Sequence, residues 1–381
     1  KIEKRLREIE FQVAELAGVS INLNSPKQLS GLLFDTLGLK TKGKRKESGA
    51  FTTNAETLET LRDAHPIVPL ILEQREIQKI LSSYVESVIN HVGQDGKIHA
   101  KFFQHGTTTG RFSSSDPNMQ TLPASGSWGK DVKSGFVARA GHIFVGCDYS
   151  QIELRVLAML SGDLRLRESF ERGDDIHASV ASLVFGVPQA KVTPEQRRNA
   201  KVINFGIIYG MGVSALQKNL GTTRDQAQKF YNEYFAAFPT IKGYLESTKD
   251  FAKEHGYTET AFGRRRYFPT INSGAPFLRA FAERMATNAP LQGTAADIIK
   301  IAIVQIEDTL VKAGLRERAH LVLQVHDELV YEVEETAKED VQAIVVKAMI
   351  SVMNNSPIKL QITPIPLAVS VAKGKRLDEL K

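Results

Sequence analysis

The chain has 381 residues, of which 42% are hydrophobic and 24% are charged, and its net charge is +6. This length favours two or three lobes over one core, and the composition excludes a disordered or fibrous protein. The small basic surplus suits a polyanionic partner but also fits many other proteins. The single cysteine, Cys147, excludes an internal disulfide and indicates a reducing compartment.

No apolar run reaches the length of a membrane span, and the N-terminal segment KIEKRLREIE lacks the apolar core of a signal peptide. We therefore expect no membrane partner and a cytoplasmic location. The first residue is lysine rather than methionine, which suggests a piece of a longer protein.

Helix periodicity dominates the N-terminal part of the chain. Apolar residues recur every three or four positions from Ile2 to Leu16, and Gly18 follows as a helix stop. A second long helical pattern covers residues 67–92. Between them, the basic stretch 42–48 has no apolar side chain, which is typical of a solvated loop and less often of a phosphate contact.

The rest of the chain alternates between loops, strands and helices. Residues 106–135 are rich in Gly, Ser, Thr and Pro, and a loop of this length is commonly functional or a linker. Helix patterns dominate from residue 162 to about residue 280, and the remaining part mixes helices and strands.

Acidic residues lie at the ends of short apolar strands. Residues 142–148 (HIFVGCD) are too few and too rich in β-branched side chains for a helix, so they predict a strand that ends at Asp148. A lone acid there is most simply a cap for the next helix. Residues 321–334 (LVLQVHDELVYEVE) predict a hairpin with Asp327 and Glu328 at its tip, although any acidic polar turn has this pattern.

The two acidic sites together favour chemistry. If their strands are neighbours in one sheet, Asp148 and Asp327 repel each other unless a cation lies between them. Mg²⁺ suits such oxygen ligands and keeps water and substrate phosphate in its shell. Two such ions, about 3.5–4 Å apart, can activate an attacking hydroxyl and stabilise the leaving oxygen in phosphoryl transfer.

A basic and aromatic stripe lies between the acids, within residues 194–212 (PEQRRNAKVINFGIIYGMG). Residues spaced by four stay on one helix face, and here that face runs from cations to aromatics. Its members are Arg197, Lys201, Phe205 and Tyr209. Such a face can hold a triphosphate at one end and a base or sugar at the other. The alternative is a solvated basic turn followed by core aromatics.

Several weaker candidates stand alone. Arg111, and a helically spaced set of polar residues near the C-terminal part, could contact a nucleic acid. That set is Arg284, Asn288 and Gln292. His177 could bind phosphate, although a lone histidine is more often structural. A basic cluster is formed by Arg264, Arg265 and Arg266; it is either a further candidate of this kind or, equally, solvated surface.

Three segments resemble the motifs of family A DNA polymerases. DYSQIELR from Asp148 resembles motif A, RRNAKVINFGIIYG from Arg197 resembles motif B on the fingers helix, and QVHDELV from Gln324 resembles motif C. The similarity extends through TGRFSSSDPNMQ, DIHASVASLVFG and NAPLQGTAADIIK, so it covers nearly the whole chain. The resemblance implies an α+β right-hand fold. Its parts would be a thumb at 1–95, a palm of antiparallel sheet and helices at 96–162 and 281–381, and helical fingers at 163–280.

The resemblance also implies the site residues. Asp148, Asp327 and the carbonyl of Tyr149 would bind two Mg²⁺ ions, which Mn²⁺ can replace, and Glu328 would be a catalytic neighbour. The implied nucleotide-binding residues are Arg197, Lys201 and His177 at the triphosphate, Phe205 and Tyr209 at the sugar and base, and Gln151 and Glu153 in the pocket. The implied DNA-binding residues are Arg111, Asn118, Gln120, Arg284, Asn288, Gln292 and His326.

The implied function is template-directed addition of deoxynucleotides to a primer 3′-hydroxyl with release of pyrophosphate. The partners would be primer–template DNA and deoxynucleoside triphosphates, and the protein would be a monomer. We expect no exonuclease in this chain, because thumb, palm and fingers account for all of its residues. Two positions depart from the family pattern: Thr121 replaces a common asparagine and Gly212 a frequent serine.

Other functions stay open. A single-subunit RNA polymerase shares the hand, but Glu153 argues against it, because an acid there blocks a ribose 2′-hydroxyl in the family. A nucleic-acid-binding module without catalysis is disfavoured by the presence of Asp148, Asp327 and Lys201. The spacing from Ser150 to Glu153 also matches a capping box, in which Glu153 would only close a helix.

Overall fold

The computed structural model describes residues 1–41, 51–123, 127–356, 360 and 362–380. The basic stretch 42–48 lies outside these residues. The chain divides into two compact units. The first comprises Lys1–Lys101 and Asp116–Phe136, and the second comprises Phe102–Ser115 and Val137–Lys381.

The first unit is helical. Its helices are α1 (Ile2–Ala17), α2 (Pro26–Ser30), α3 (Ala55–Thr60), α4 (Ile67–Ile80), α5 (Ser87–Ile89) and α6 (Ser127–Ser134). As predicted, α1 stops at Gly18, whose φ of 67° suits glycine. The pattern at 67–92 forms α4 and α5, which are joined by one π-helical turn at Leu81–Glu86.

The core of the first unit lies between α1 and α4. Ile9 and Val13 of α1 are buried together with Ile67 and Ile71 of α4. At the edge of this contact, Arg5 donates two hydrogen bonds to the carboxylate of Glu73, at 2.7 and 2.8 Å. The apolar stripe that repeats every three to four residues therefore faces the neighbouring helix, as an amphipathic helix requires.

The second unit is built around a four-stranded antiparallel sheet. Its strands, in spatial order, are β6 (Ala319–Val325), β7 (Glu328–Glu334), β3 (His142–Tyr149) and β8 (Val369–Gly374). Two smaller ladders pair β1 (Lys101–Phe103) with β2 (Ser113–Ser115) and β4 (Tyr257–Glu259) with β5 (Arg265–Tyr267). The predicted strand at 142–148 and the predicted hairpin at 321–334 are both confirmed.

Helices surround this sheet. They are α7 (Ile152–Ser161), α8 (Leu164–Arg172), α9 (Ile176–Phe185), α10 (Pro194–Ile208), α11 (Val213–Leu220), α12 (Arg224–Ala237), α13 (Pro239–His255), α14 (Pro276–Lys312) and α15 (Lys338–Ser351). The mixture of an antiparallel sheet with helices confirms the predicted α+β class. None of the described helices is long and apolar enough to cross a membrane.

The core of the second unit explains how β3 is anchored. Val145, Cys147 and Tyr149 are buried in one cluster with side chains of α14 and α15. The hydroxyl of Tyr149 donates a hydrogen bond of 2.8 Å to the carbonyl of Met349 in α15. Because side chains alternate along a strand, Gly146 and Asp148 face the other side of the sheet. The strand is thus held from one face and presents Asp148 on the other.

Burial in α1 predicts a contrast between two neighbouring apolar residues. Ile9 is 0% exposed and Phe11 is 65% exposed. Ile9→Ala should lower the free energy of unfolding of the first unit by about 2–4 kcal/mol, because it leaves a cavity. Phe11→Ala should change it by less than about 0.5 kcal/mol. Urea denaturation followed by circular dichroism measures both, and equal effects would contradict the placement of α1.

Candidate active site

The register of the sheet brings the acidic residues together. In the antiparallel pairing of β3 with β7, Asp148 lies opposite Glu328. Asp327 occupies the turn between β6 and β7, and its carbonyl accepts a hydrogen bond of 3.1 Å from the amide of Tyr149. His326 makes the tight turn possible with a left-handed φ of 52°. Asp148 and Asp327 are therefore neighbours at one end of the sheet.

The electrostatics of this end disfavour a second negative charge. The pKa of Asp327 is raised to about 6, chiefly by burial; Arg111 opposes this shift, and the carboxylates of Glu153 and Asp148 add to it. A carboxylate that is buried beside another carboxylate is stabilised by a proton or by a cation. The end of the sheet is therefore prepared for a positive charge.

The donor set fits a hard divalent cation. Asp148, Asp327 and the backbone carbonyl of Tyr149 offer only oxygen atoms, which Mg²⁺ prefers. Within the described ranges, no group of three His, Cys, Asp or Glu side chains is placed to hold a metal ion. Mg²⁺ commonly uses only one or two carboxylates and completes its shell with water and substrate phosphate, so two carboxylates are sufficient.

Glu328 is arranged differently from the two aspartates. A Cβ added at Gly146 would lie 2.8 Å from the Oε1 atom of Glu328, so this side chain lies over Gly146, farther along β3. Glu328 also adds to the effect of burial, which raises the pKa of the Cys147 thiol to about 12. Glycine at position 146 leaves the space that the Glu328 side chain occupies. Its catalytic role stays a prediction.

Helix α10 presents the basic and aromatic stripe as predicted. Thr193 and Gln196 form a reciprocal capping box at its start, and Pro194 occupies the first turn. Its apolar face, including Ile203 and Ile207, is buried in the core. The opposite face carries the four predicted residues, of which Arg197, Lys201 and Tyr209 are exposed and Phe205 is partly buried.

The two predicted binding cations on α10 differ in their surroundings. Arg197 donates a hydrogen bond of 2.6 Å from Nε to Asp175, the N-cap residue of α9. Burial raises the pKa of Asp175, but hydrogen bonds from Arg197 and from the α9 backbone outweigh this effect and lower it. Lys201 forms no ion pair with any described residue. Lys201 is therefore available to a bound anion at once.

The aromatic end of the stripe forms a small stack. The rings of Phe205 and Tyr209 are nearly parallel, with centroids 6.3 Å apart and an interplanar angle of 18°. Gly210 follows with a left-handed φ of 64°, and a Cβ there would lie 3.3 Å from the Arg284 side chain. The chain after α10 thus turns sharply against α14, which places Arg284 next to the aromatic end.

Glu153 joins the stripe to the acidic end of the sheet. It is only 5% exposed, and its Oε1 atom accepts a hydrogen bond of 2.5 Å from Arg111. The Tyr209 hydroxyl also donates a hydrogen bond to this carboxylate, and burial, together with the carboxylate, raises the pKa of Tyr209 to about 12. The capping-box alternative is wrong. Gln151, in a left-handed conformation, is the N-cap of α7 and makes no side-chain cap.

His177 is enclosed by amides. Its Nδ1 lies 3.1 Å from the Asn204 amide and its Nε2 lies 3.2 Å from the Gln151 amide. Burial lowers the pKa of His177 to about 4, so the imidazole is neutral at pH 7. In this arrangement His177 orients Gln151 and presents no positive charge to a phosphate. The phosphate contact of His177 and the pocket role of Gln151 stay predictions.

Comparisons with known proteins agree with this geometry. Residues 1–379 match the profile of DNA polymerase family A. The chain belongs to DNA polymerase family A. It is 44% identical over 382 residues to the thermostable DNA polymerase I of Thermus filiformis, a match that covers 100% of this chain and 44% of that protein. It is 42% identical over 378 residues to DNA polymerase I of Deinococcus radiodurans, covering 99% of this chain and 38% of that protein.

A solved structure of the family has the same fold. The POL domain of Pol1 from M. smegmatis, in complex with DNA primer-template and dNTP, matches with a TM-score of 0.90 and 37% sequence identity. The match covers 100% of this chain and 65% of that one. The predicted right-hand polymerase fold is confirmed, whereas the boundaries of thumb, palm and fingers stay predictions. This family A chain spans less than half the length of the curated relatives described above.

The predicted DNA-binding residues of the family A chain fall in both units. Arg284, Asn288 and Gln292 share one face of α14, and the buried Asn288 has an Oδ1 atom with no hydrogen-bond donor among the described residues. His326 is exposed at the hairpin turn of the same unit. In the first unit, the Asn118 side chain accepts a hydrogen bond of 3.0 Å from the Gln120 amide. Arg111 is already paired with Glu153.

Sequence reasoning missed two residues that shape the site. Asp175 orients Arg197, and Asn204 holds His177. A sequence signal existed for Asp175, because an aspartate before an apolar helix is a good N-cap. Asn204 carried no local signal, since its function depends on how α9 packs against α10.

The raised pKa predicts that Asp327→Asn stabilises the fold at neutral pH. Asp327 ionises near pH 3.9 in the unfolded chain but only near pH 6 in the folded one. The contribution of the Asp327 carboxyl group to the free energy of unfolding of wild type is therefore present at pH 4 and is lost as the pH rises through 6. In EDTA, the melting temperature of Asp327→Asn minus that of wild type should grow over this interval.

Asp308→Asn, which removes an exposed carboxylate on α14, is the matched control. Mg²⁺ added at pH 8 should raise the melting temperature of wild type more than that of Asp327→Asn. A stability difference that stays flat from pH 4 to pH 8 would argue that Asp327 is not held against other carboxylates.

Proposed function

We propose that this chain is a template-directed DNA polymerase that extends a primer 3′-hydroxyl with deoxynucleotides and releases pyrophosphate. The observation that carries the proposal is the meeting of Asp148 and Asp327 at one end of the sheet. Membership of DNA polymerase family A and the likeness to a POL domain in complex with DNA primer-template and dNTP support it.

The acidic end of the sheet would bind the metal ions. Asp148, Asp327 and the Tyr149 carbonyl would hold two Mg²⁺ ions, for which Mn²⁺ can substitute. When bound, such ions activate the attacking hydroxyl and stabilise the leaving oxygen. The protein fixes the two aspartates by strand pairing, which means that little rearrangement is needed when the charges are compensated.

The basic end of the α10 stripe would bind the triphosphate. Lys201 offers an uncompensated charge. The charge of Arg197 is partly compensated by Asp175, so Arg197 would either leave Asp175 or contact Asp175 and the phosphates at the same time. Because Asp175 holds the Arg197 guanidinium through Nε, its other nitrogen atoms stay available as donors. Phe205 and Tyr209 would then flank the sugar and base.

The remaining polar residues would contact primer–template DNA. Arg284 and Gln292 lie on the same face of α14 as the buried Asn288, and they extend the site away from Gly210. Side chains of this type position the duplex through phosphate, sugar and groove contacts. We also assign Arg111, Asn118, Gln120 and His326 to DNA. A monomeric state and a cytoplasmic location stay predictions.

Loss of either aspartate should abolish catalysis but not DNA binding. Asp148→Ala and Asp327→Ala should each eliminate primer extension in Mg²⁺, and the double variant should be no worse, because the two acids act as one unit. Fluorescence anisotropy of labelled primer–template in EDTA should show a Kd within about threefold of wild type. Asp308→Ala is the control. A variant that loses DNA affinity instead would remove the aspartate from the chemical step.

Lys201→Ala should weaken nucleotide binding selectively. We expect KM for deoxynucleotides to rise by on the order of tenfold, since one charge-assisted contact to phosphate is lost. The Kd for primer–template should not change. Lys229→Ala, which removes an exposed lysine on α12, controls for net charge. If the two variants have the same KM, Lys201 does not contact the triphosphate.

Sugar choice should depend on Glu153 and Phe205 separately. Glu153→Ala should raise the ratio of kcat/KM for ribonucleotides over deoxynucleotides by at least about tenfold, because the space for a 2′-hydroxyl is opened. Wild type should use dideoxynucleotides poorly, because Phe205 has no hydroxyl that could replace their missing 3′-hydroxyl. Phe205→Tyr supplies such a hydroxyl and should relax this discrimination. Steady-state kinetics with all three sugars measures both effects. Unchanged ratios in Glu153→Ala would show that its carboxylate only balances Arg111.

A further inference from the structure

A three-way junction lies behind the Arg111–Glu153 pair, within the second unit. Helix α14 approaches two loops so closely at Gly293 that a Cβ there would lie 2.5 Å from the Thr260 side chain and 3.3 Å from the Thr109 carbonyl. One of these loops joins β4 to β5, and the other is the segment 104–112 that carries Arg111. Glycine is needed at position 293 because backbone and loops meet there.

Asp297 is the buried anchor of this junction. It is 5% exposed, and its carboxylate accepts hydrogen bonds from the Arg264 Nε at 2.8 Å, from the Arg264 Nη2, and from the Thr260 hydroxyl at 2.8 Å. One turn earlier on α14, the Thr294 hydroxyl accepts a hydrogen bond of 3.0 Å from the Ala261 amide. A buried carboxylate with this many donors holds the Arg264 guanidinium in one orientation.

The guanidinium of Arg264 covers Gly110. A Cβ at Gly110 would lie 2.8 Å from the Arg264 Nε and 3.0 Å from its Cδ and Cζ, and the φ of Gly110 is +82°. The turn is closed on its other side by the Thr107 hydroxyl, which donates 2.8 Å to the Arg111 carbonyl. Arg264 therefore packs directly against Gly110, the residue before Arg111.

The ends of the same loop are tied to α14 as well. Lys300, one turn after Asp297, donates a hydrogen bond of 2.6 Å to the Gln104 carbonyl, and its ammonium lies 5.2 Å from the ring centroid of Phe112. The loop 104–112 is thus contacted at three points, by Gly293 and Lys300 of α14 and by Arg264, which α14 holds through Asp297. None of the three uses the side chain of Arg111, which is left to reach Glu153.

We propose that Arg264 and Asp297 are positioning residues for sugar selection, which hold residues 107–111 so that Arg111 fixes the Glu153 carboxylate. This role rests on the proposed polymerase function and on Glu153 as the sugar gate. Arg264 and Asp297 act through Arg111 and touch neither nucleotide nor metal ions. Helix α14 thereby links the DNA-binding face to the residue that tests the sugar.

The test uses Arg264→Lys and Asp297→Asn, with Arg265→Lys as the matched control. Arg265 is the next residue in the same hairpin and also pairs with a carboxylate, that of Glu259 at 2.5 Å, but this pair is exposed and the Arg265 guanidinium lies over the Tyr257 ring. The first readout is amide hydrogen exchange of residues 107–112 in the DNA-free protein. The second is the ratio of kcat/KM for ribonucleotides over deoxynucleotides. Thermal melting confirms that each variant is folded.

We expect Arg264→Lys and Asp297→Asn to speed the exchange and to raise the sugar ratio by at least about threefold, since small displacements of positioning groups have large kinetic effects. Arg265→Lys should change neither. In a Glu153→Ala background, Arg264→Lys should leave the sugar ratio unaltered, because the group that it positions is gone.

Unchanged exchange, or faster exchange with an unaltered sugar ratio, would overturn the positioning role. If Glu153→Ala itself leaves the sugar ratio unchanged, the gate of the proposed function fails, and sugar selection by Arg264 and Asp297 fails with it. Because hydrogen exchange needs no catalysis, it reports separately whether these residues hold the loop.

Discussion

The site depends on keeping two carboxylates side by side. Asp148 and Asp327 are neighbours because β3 and β7 are paired in an antiparallel register and the turn before β7 folds back on Tyr149. Burial, and to a smaller extent repulsion from Glu153 and Asp148, raises the pKa of Asp327 to about 6. The free energy that holds the two aspartates together comes from the apolar face of the sheet, where Val145, Cys147 and Tyr149 are buried.

The predicted binding cations differ in how far neighbouring carboxylates compensate their charges. Arg111 is the cation that opposes the raised pKa of Asp327, and it does so while paired with Glu153. On α10, Arg197 donates a hydrogen bond to Asp175, and Lys201 has no ion pair within the part of the chain described. In the proposed function, a triphosphate would meet an uncompensated charge at Lys201.

Helix α14 is the element that coordinates these parts. Its first half carries the polar face of Arg284, Asn288 and Gln292, and its second half is buried in the core through Ile298 and Ile306. Between the two halves, Gly293 and Asp297 contact the loops that support Arg111. One continuous helix thus connects the predicted duplex contacts with the predicted sugar gate.

Local sequence patterns predicted the secondary structure around the candidate site, and they pointed to Asp148, Asp327 and the stripe of α10. The apolar run at 142–148 and the alternating hairpin at 321–334 predict strands because their periods are local, and the capped stripe of α10 predicts a helix for the same reason. What only the tertiary structure decided is which partner each polar side chain has. Glu153 had the spacing of a helix cap but pairs with Arg111, 42 positions away. Arg264 is one of three adjacent arginines, and its guanidinium is held by Asp297. Such choices depend on burial and on distances between elements, since a buried charge must find a partner across the packed core, and no local pattern encodes that partner.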